Sequence, residues 1–325
     1  MRKVPDINCI GEANIKGSSL NVCLDQCAIS QLAISRKRNS AIDDLRDLMR
    51  DASQRGRLVC PVAPETIVET TALPLKCRRR IHELHCYLAG ARDGGPLLAF
   101  KSMGKMINEE TLALAKSNPF PSAFEVIHWQ MIDDDRIAHE VATEVKAAKC
   151  KMEQRADLHQ VATNCQYTLA MPPRDLVMVE HASHVYRQVQ RLLRAEELWP
   201  EDHMGYDVCQ YLLAQGITKP ELMKLREDIL QRRWEEIPVI VNRARLSAQL
   251  EAESIGGRSP RRYRVNDEFD IPRLSVGLAS ADVVITDAAM AQLCRTVKTQ
   301  QWTHAKVFSV RETKDIVNYL NDAIS

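Results

Sequence analysis

Aromatic residues, paired cysteines, long apolar runs and an excess of one charge are all scarce or absent in this sequence. Aromatic side chains make up 5% of the 325 residues, so the core must be mostly aliphatic. The net charge of +1 provides no global attraction for nucleic acid, and any such binding must come from a local basic patch. Apolar residues nevertheless reach 45%, which predicts one large folded domain or two ordinary ones rather than a disordered chain.

The ten cysteines are scattered without a CxxC pair, and no run of about 18 apolar residues predicts a membrane span. The segment MRKVPDINCIGEANIKG has no apolar stretch of signal-peptide length. We therefore expect a cytoplasmic protein with reduced thiols. Structural zinc is the alternative, but its candidate ligands lack a second pair at finger-like spacing. These candidates are His82, His85 and Cys86, or His181 and His184.

Strands and helices alternate at both ends of the chain. Short apolar runs predict buried strands over 20–24, 57–62, 282–286 and 305–310. Helices are predicted over 30–38, 40–54, 64–69, 74–90, 268–279, 287–297 and 311–323. This order favours an α/β fold with a parallel sheet between layers of helices, formed by residues 18–90 together with 256–325.

Residues 91–255 have a different character. Gly94, Gly95 and the Pro-Phe-Pro at 119–121 interrupt the alternation, and further prolines separate long helical patterns. Helices are predicted here over 136–167, 175–197, 206–216 and 219–250. We expect an α-helical insertion rather than part of the sheet.

Acidic residues follow two of the predicted strands directly. Asp25 comes after LNVCL and Asp287 after DVVIT, and ligands of open parallel sheets bind beyond the carboxyl ends of the strands. Asp270 opens an apolar helix, and Glu65 and Glu69 lie in the helical segment after the second strand. Converging carboxylates repel one another unless a cation lies between them, and oxygen ligands suit Mg²⁺ or Mn²⁺. The alternative for Asp25 and Asp287 is that each caps the following helix.

In their order and spacing, these acidic segments resemble the PIN-like nuclease superfamily. The resemblance rests on LDQ around Asp25, ETIVETT around Glu69, DIPRLSVGLASAD beginning at Asp270, and VVITD ending in Asp287. It covers about residues 18–75 and 260–325, less than half of the chain.

The resemblance has consequences for fold, chemistry and ligands. It implies a PIN-like sheet interrupted by an unusually long insertion. It implies that Asp25, Glu69, Asp270 and Asp287 are both the metal ligands and the catalytic residues, with Glu69 a better match than Glu65. It also implies hydrolysis of phosphodiester bonds that depends on Mg²⁺ or Mn²⁺, in RNA more often than in DNA.

A nuclease that holds the phosphate backbone needs cations beside its acids. Arg261, Arg262 and Arg264 lie just before the third acid, and we expect them to bind substrate; ordinary solvated surface is the alternative. Gln26 and Thr286 are further candidates for substrate binding. Gln26 either orients substrate or caps a helix, and Thr286 either serves the site or satisfies strand packing.

The sequence thus predicts a metal-dependent endonuclease whose favoured partner is RNA, and a role as a toxin or defence effector is left open. The alternative is a catalytically inactive PIN-like module that binds nucleic acid or protein. A different α/β enzyme is disfavoured because the sequence has no Walker motif, no GxGxxG and no GxSxG elbow. These patterns leave open a homo-oligomer or an inhibitory protein partner.

Overall fold

The structure is a computed structural model that describes residues 19–34, 40–91, 95–131, 134, 136–140, 142–143, 146–147, 204–228, 233–255 and 267–324. Its strands are β1 (Leu20–Leu24), β2 (Leu58–Val59), β3 (Leu97–Phe100), β4 (Phe124–Ile127), β5 (Val283–Thr286) and β6 (Lys306–Ser309). Its longer helices are α1 (Gln26–Ile34), α2 (Ser40–Gln54), α3 (Pro64–Thr71), α4 (Leu75–Leu88), α5 (Met103–Ala115), α6 (Met204–Ala214), α7 (Lys219–Asp228), α8 (Pro238–Ile255), α9 (Asp267–Ser280), α10 (Ala288–Thr296) and α11 (Thr313–Ile324).

Four strands form a parallel sheet in the order β2-β1-β5-β6. Residues from Val22 to Leu24 and all of β5 are buried, so both faces of the two central strands are covered. Such burial accounts for the continuous apolar runs in these strands. The predicted α/β class with a parallel sheet is confirmed.

Helices cover the sheet on both sides. Successive residues of a strand point to opposite faces, and two neighbours on β1 pack against different helices. On one face Val22 belongs to an apolar cluster with Leu45 of α2. On the other face its neighbour Cys23 belongs to a second cluster with Leu274 of α9. The sheet is therefore the middle layer between two layers of helices.

Strands β3 and β4 form an antiparallel hairpin that is attached to the segment after β2. The N–H of Val62 donates to the carbonyl of Leu98 at 3.0 Å, and the N–H of Phe100 donates to the carbonyl of Val62 at 2.9 Å. The α-helical insertion expected over 91–255 therefore also contains two strands, β3 and β4. β3 is an apolar run as short as β5, but it lies outside the alternating strands and helices at the two ends of the chain, and β4 is mostly half-buried.

The helix predicted over 219–250 is divided in two. Helix α7 ends at Asp228 and α8 begins at Pro238. Proline fits the first turn of a helix but lacks the N–H that a helix interior requires. Helix α8 is joined to α9, where the side-chain amide of Asn242 donates to the carbonyl of Ser275 at 3.1 Å.

Other predicted helices have mixed outcomes. The helix predicted over 40–54 is confirmed with the same bounds, whereas the one predicted over 30–38 begins earlier, at Gln26. Those predicted over 136–167 and 175–197 lie mostly or wholly outside the described residues. Among the described helices, none combines the length and the apolar character that a membrane span requires.

The strand order reverses direction between β1 and β5. From β1 the chain proceeds to β2 on one side, and it later returns to β5 on the other side. In an open parallel sheet this reversal leaves a crevice beyond the carboxyl ends of the two strands, where ligands commonly bind. Asp25 and Asp287 are the residues that directly follow β1 and β5, so the fold brings both to this crevice.

Candidate active site

Asp25 is held by three hydrogen bonds at the end of β1. Its Oδ1 accepts from the N–H of Ala28 at 2.6 Å, which caps the first turn of α1. Its Oδ2 accepts from the hydroxyl of Thr286 at 2.6 Å and from the N–H of Asp287 at 2.8 Å. The carboxyl group therefore joins the ends of β1 and β5, and the residue is only 5% exposed.

Asp287 caps helix α10, as its Oδ1 accepts from the N–H of Met290 at 2.8 Å. The capping role considered for Asp25 and Asp287 is thus confirmed for both residues. Capping does not exclude a role as a metal ligand, because it engages only Oδ1 of Asp287, and Oδ1 of Asp25 accepts a single hydrogen bond and retains a second lone pair. A cap fixes the position of the carboxyl group, which is what a preformed ligand site requires.

A buried arginine lies among the acids. Arg273 on α9 is 2% exposed, and its Nη2 donates to Oε2 of Glu69 at 2.5 Å. Its Nη1 lies 3.6 Å from Oδ1 of Asp270, three residues earlier on the same helix. The guanidinium group thus links the acid of α3 to the acid of α9.

Arg273 was not identified from the sequence as part of the site, although its position on an apolar helix could have indicated this. Residues three apart on a helix are neighbours, so Asp270 and Arg273 occupy one face. The helix DEFDIPRLSVGLAS is largely apolar after its first turn. An arginine in a buried helix needs an acidic partner, and this requirement points back to the acid cluster.

Burial and mutual repulsion raise the pKa values of acids in this cluster. Burial raises the pKa of Asp25, and the charge of Arg273 opposes that rise. Burial is also the main cause that raises the pKa of Asp270 to about 7, again opposed by Arg273. The negative charges of Asp25, Glu69 and Asp287 add to this rise. These acids therefore share one electrostatic environment.

Glu65 belongs to the same environment from one turn earlier on α3. Burial raises its pKa, and the charge of Glu69 adds to that rise. Glu69, however, is the residue that bonds directly to Arg273. This contact favours Glu69 over Glu65 as the second acid of the cluster.

Gln26 and Thr286 both form hydrogen bonds within the protein. Nε2 of Gln26 donates to Oγ of Ser30 at 3.2 Å, and its Oε1 accepts from the hydroxyl of Thr70 at 3.2 Å. Thr286 is 1% exposed and donates to Asp25. Gln26 therefore ties α1 to α3, and Thr286 positions an acid. Their expected role in substrate binding stays a prediction.

The arginines predicted to bind substrate, Arg261, Arg262 and Arg264, lie outside the described residues, as do His181 and His184.

Two of the remaining zinc candidates, His82 and Cys86 on α4, form hydrogen bonds, and the third, His85, is fully buried. Nε2 of His82 lies 2.9 Å from the carbonyl of Trp129 and 3.4 Å from Sγ of Cys86. Across the part of the chain that the structure describes, no three His, Cys, Asp or Glu side chains are grouped so that they could hold a metal ion.

The acid cluster nevertheless fits a hard divalent cation in its chemistry. Asp25, Glu69, Asp270 and Asp287 offer only oxygen ligands, which Mg²⁺ and Mn²⁺ prefer. Four carboxyl groups lie around the single guanidinium group of Arg273, and the pKa of Asp270 is raised mainly by burial and further by the neighbouring acids. The spacing fits less well, since the acids would have to move towards a shared ion.

Comparison of the chain with protein-family models, with curated proteins and with solved structures found no match. A function for this chain is therefore inferred from the site alone.

Proposed function

We propose that this protein is a metal-dependent endonuclease with a PIN-like fold, whose favoured substrate is RNA. The observation that carries the proposal is the convergence of acids beyond the ends of β1 and β5: Asp25 accepts a hydrogen bond from the N–H of Asp287 at 2.8 Å, and the charges of both residues add to the raised pKa of Asp270. Acids that repel one another in a crevice of this kind are suited to binding a cation.

The proposal of a PIN-like fold is supported by the placement of the acids along the chain. Asp25 follows the first strand, Glu69 lies on the helix after the second, Asp270 lies in the first turn of α9, and Asp287 follows β5. This is the arrangement that the resemblance implies. A parallel sheet between two layers of helices agrees with it.

In the proposed reaction the four acids hold Mg²⁺ or Mn²⁺ and act as ligands rather than nucleophiles. The cation, when bound, supplies charge stabilisation to the phosphodiester during hydrolysis. Thr286 orients the Oδ2 of Asp25, and the cap on α10 orients Asp287.

Cleavage assays on variants that keep the fold test this proposal. Labelled RNA and labelled DNA are incubated with the protein in Mn²⁺, Mg²⁺ or EDTA. Asp287→Asn and Asp270→Asn are the sharpest variants, because asparagine also caps helices well and replaces Asp270 at nearly the same size. Asp25→Asn is less clean, since Asp25 accepts three hydrogen bonds from the protein.

We expect cutting that requires metal and that falls at least about a hundredfold in Asp287→Asn and Asp270→Asn. Asp322→Asn, on the exposed side of α11, is the matched control and should cut like the unaltered protein. Cutting that persists in EDTA, or that survives both substitutions, contradicts the proposal.

The alternative function, a catalytically inactive module, also has an observation in its favour. Arg273 already pairs with Glu69 and lies close to Asp270, so part of the negative charge is balanced without a metal. Retained RNA binding without cutting, in any metal, supports this alternative.

A further inference from the structure

The guanidinium group of Arg273 has more donors than partners. Its Nη2 bonds to Glu69, whereas Nε and Nη1 find no hydrogen-bond acceptor among the described residues. Both atoms are fully buried. Unpaired buried N–H groups cost free energy, so a purely structural arginine would normally have its donors satisfied.

Charge explains why the residue is nevertheless kept positive. Burial alone would lower the pKa of Arg273, but the attraction of nearby acids outweighs this effect and the net pKa is raised. The acids concerned are, in order of effect, Glu69, Asp270, Asp25 and Glu65. Arg273 is thus the cation around which the acid cluster is arranged.

We propose that Arg273 is a positioning residue that acts as a built-in counter-cation: it holds the acids together in the metal-free protein and competes with a divalent ion for them. The inference rests on the proposed function, because it concerns the same acids. Nη2 of Arg273 pairs with Glu69 of α3, and Nη1 lies 3.6 Å from Asp270 of α9. The guanidinium group therefore lies between these two acids.

This role predicts whether removal of the arginine strengthens or weakens the binding of a divalent cation. A positive charge a few ångströms away opposes the binding of a divalent cation, so a neutral residue at this position should strengthen binding. The same change leaves the acids without a counter-charge when metal is absent. The metal-free protein should then unfold more easily, and added metal should stabilise it more.

Titration calorimetry with Mn²⁺ on the full chain tests the inference without any measurement of activity. We expect the dissociation constant for Mn²⁺ to fall at least about tenfold in Arg273→Met relative to the unaltered protein. Arg273→Lys keeps the charge and should remain within about threefold of the unaltered protein. Arg295→Gln is the matched control, because it removes an exposed arginine that pairs with Glu312.

If Arg273→Met does not fold, a second pair of variants tests the same effect. Glu69→Gln and Glu69→Gln/Arg273→Met differ only in the arginine, and the second variant contains no unpaired charge at either position. The double variant should bind Mn²⁺ at least about tenfold more tightly than the single variant.

The outcomes separate the inference from the proposed function. Metal-dependent cutting by the unaltered protein, with equal Mn²⁺ affinity in Arg273→Met, overturns the inference alone. Tight Mn²⁺ binding that appears only in Arg273→Met supports the inference even where the unaltered protein does not cut. Equal affinity in the Lys and Met variants, or no binding in any variant, overturns the inference.

Discussion

The hydroxyl of Thr286 donates a 2.6 Å hydrogen bond to Oδ2 of Asp25, and so the last residue of β5 fixes the acid that follows β1. Thr286→Val removes the hydroxyl and keeps the shape of the side chain. We expect the free energy of unfolding to fall by about 1–3 kcal/mol, because a buried carboxyl oxygen loses a donor. Urea unfolding of the metal-free protein measures this change.

Thr286→Ser is the control for this bond, since serine retains the hydroxyl. Its loss of stability should be clearly smaller than that of Thr286→Val. Equal losses in the two variants would mean that packing of the methyl group, and not the hydrogen bond, stabilises the strand end.

Gly277 on α9 lies against the sheet where a side chain has no space. A Cβ at this position would come within 2.8 Å of Sγ and 3.1 Å of Cβ of Cys23. Gly277→Ala should therefore destabilise the protein by about 1–3 kcal/mol through overpacking. Gly104→Ala, in α5, meets no atom within 4 Å and should raise stability by up to about 1 kcal/mol.

Thermal unfolding of the two alanine variants distinguishes crowding from the general effect of glycine in a helix. The combination Gly277→Ala/Cys23→Ala should recover part of the loss, because the sulfur atom is the nearest obstacle. Strictly additive effects of the two substitutions would contradict the close contact.

Glu110 on α5 predicts a pH dependence that is separate from the acid cluster. Burial raises its pKa to about 7, although the N–H of Val239 donates to it at 3.5 Å. Because the pKa is higher in the folded state than in the unfolded state, the folded protein binds the proton more tightly. The resulting stability is fully present below about pH 4 and is lost as the pH rises through 7.

Glu110→Gln mimics the protonated form at every pH. The difference in unfolding free energy between this variant and the unaltered protein should shift by about 3 kcal/mol in favour of the variant between pH 4 and pH 8. Urea titrations across this range provide the measurement. A constant difference would show that Glu110 ionises normally in the folded protein.

Asn242 joins helix α8 to the rest of the molecule through both ends of its amide. It donates to the carbonyl of Ser275 and accepts from Nε1 of Trp302 at 2.9 Å. Asn242→Ala removes both hydrogen bonds and should cost about 2–4 kcal/mol of unfolding free energy.

Trp302→Phe removes the indole donor together with part of the ring, and it completes a double-mutant cycle with Asn242→Ala that isolates the hydrogen bond. The coupling free energy between the two substitutions should be about 1 kcal/mol. A coupling near zero, measured by urea unfolding of all four proteins, would contradict the bond between these side chains.

The parts of the fold that the sequence predicts well are those with a strong local pattern. β1 and β5 are apolar runs followed by an acid, and α2 has one apolar face, so their positions follow from periodicity alone. In the hairpin, β3 is a buried apolar run as well, but β4 is mostly half-buried, and the hairpin lies outside the alternating strands and helices at the ends of the chain. Its strands are stabilised by pairing with each other and with Val62, and pairing partners are not visible in a single strand.

The candidate site is predictable only in its acids. Asp25 and Asp287 can be found because they end apolar strands, and Asp270 because it precedes an apolar helix. Arg273 is visible only once α9 is known to be buried, because an arginine in an exposed helix needs no partner. The internal bonds of Gln26 and Thr286 depend on tertiary contacts 44 and 261 residues apart.

The two strand ends that carry Asp25 and Asp287 are synthesised at different times. Asp25 leaves the exit tunnel early, whereas its donor Thr286 is translated 261 residues later, a delay on the order of tens of seconds at ordinary elongation rates. Until then β1 has no β5 beside it, and the nascent polypeptide cannot assemble the crevice. Under the proposed function, translation products that end before β5 should therefore have no cleavage activity.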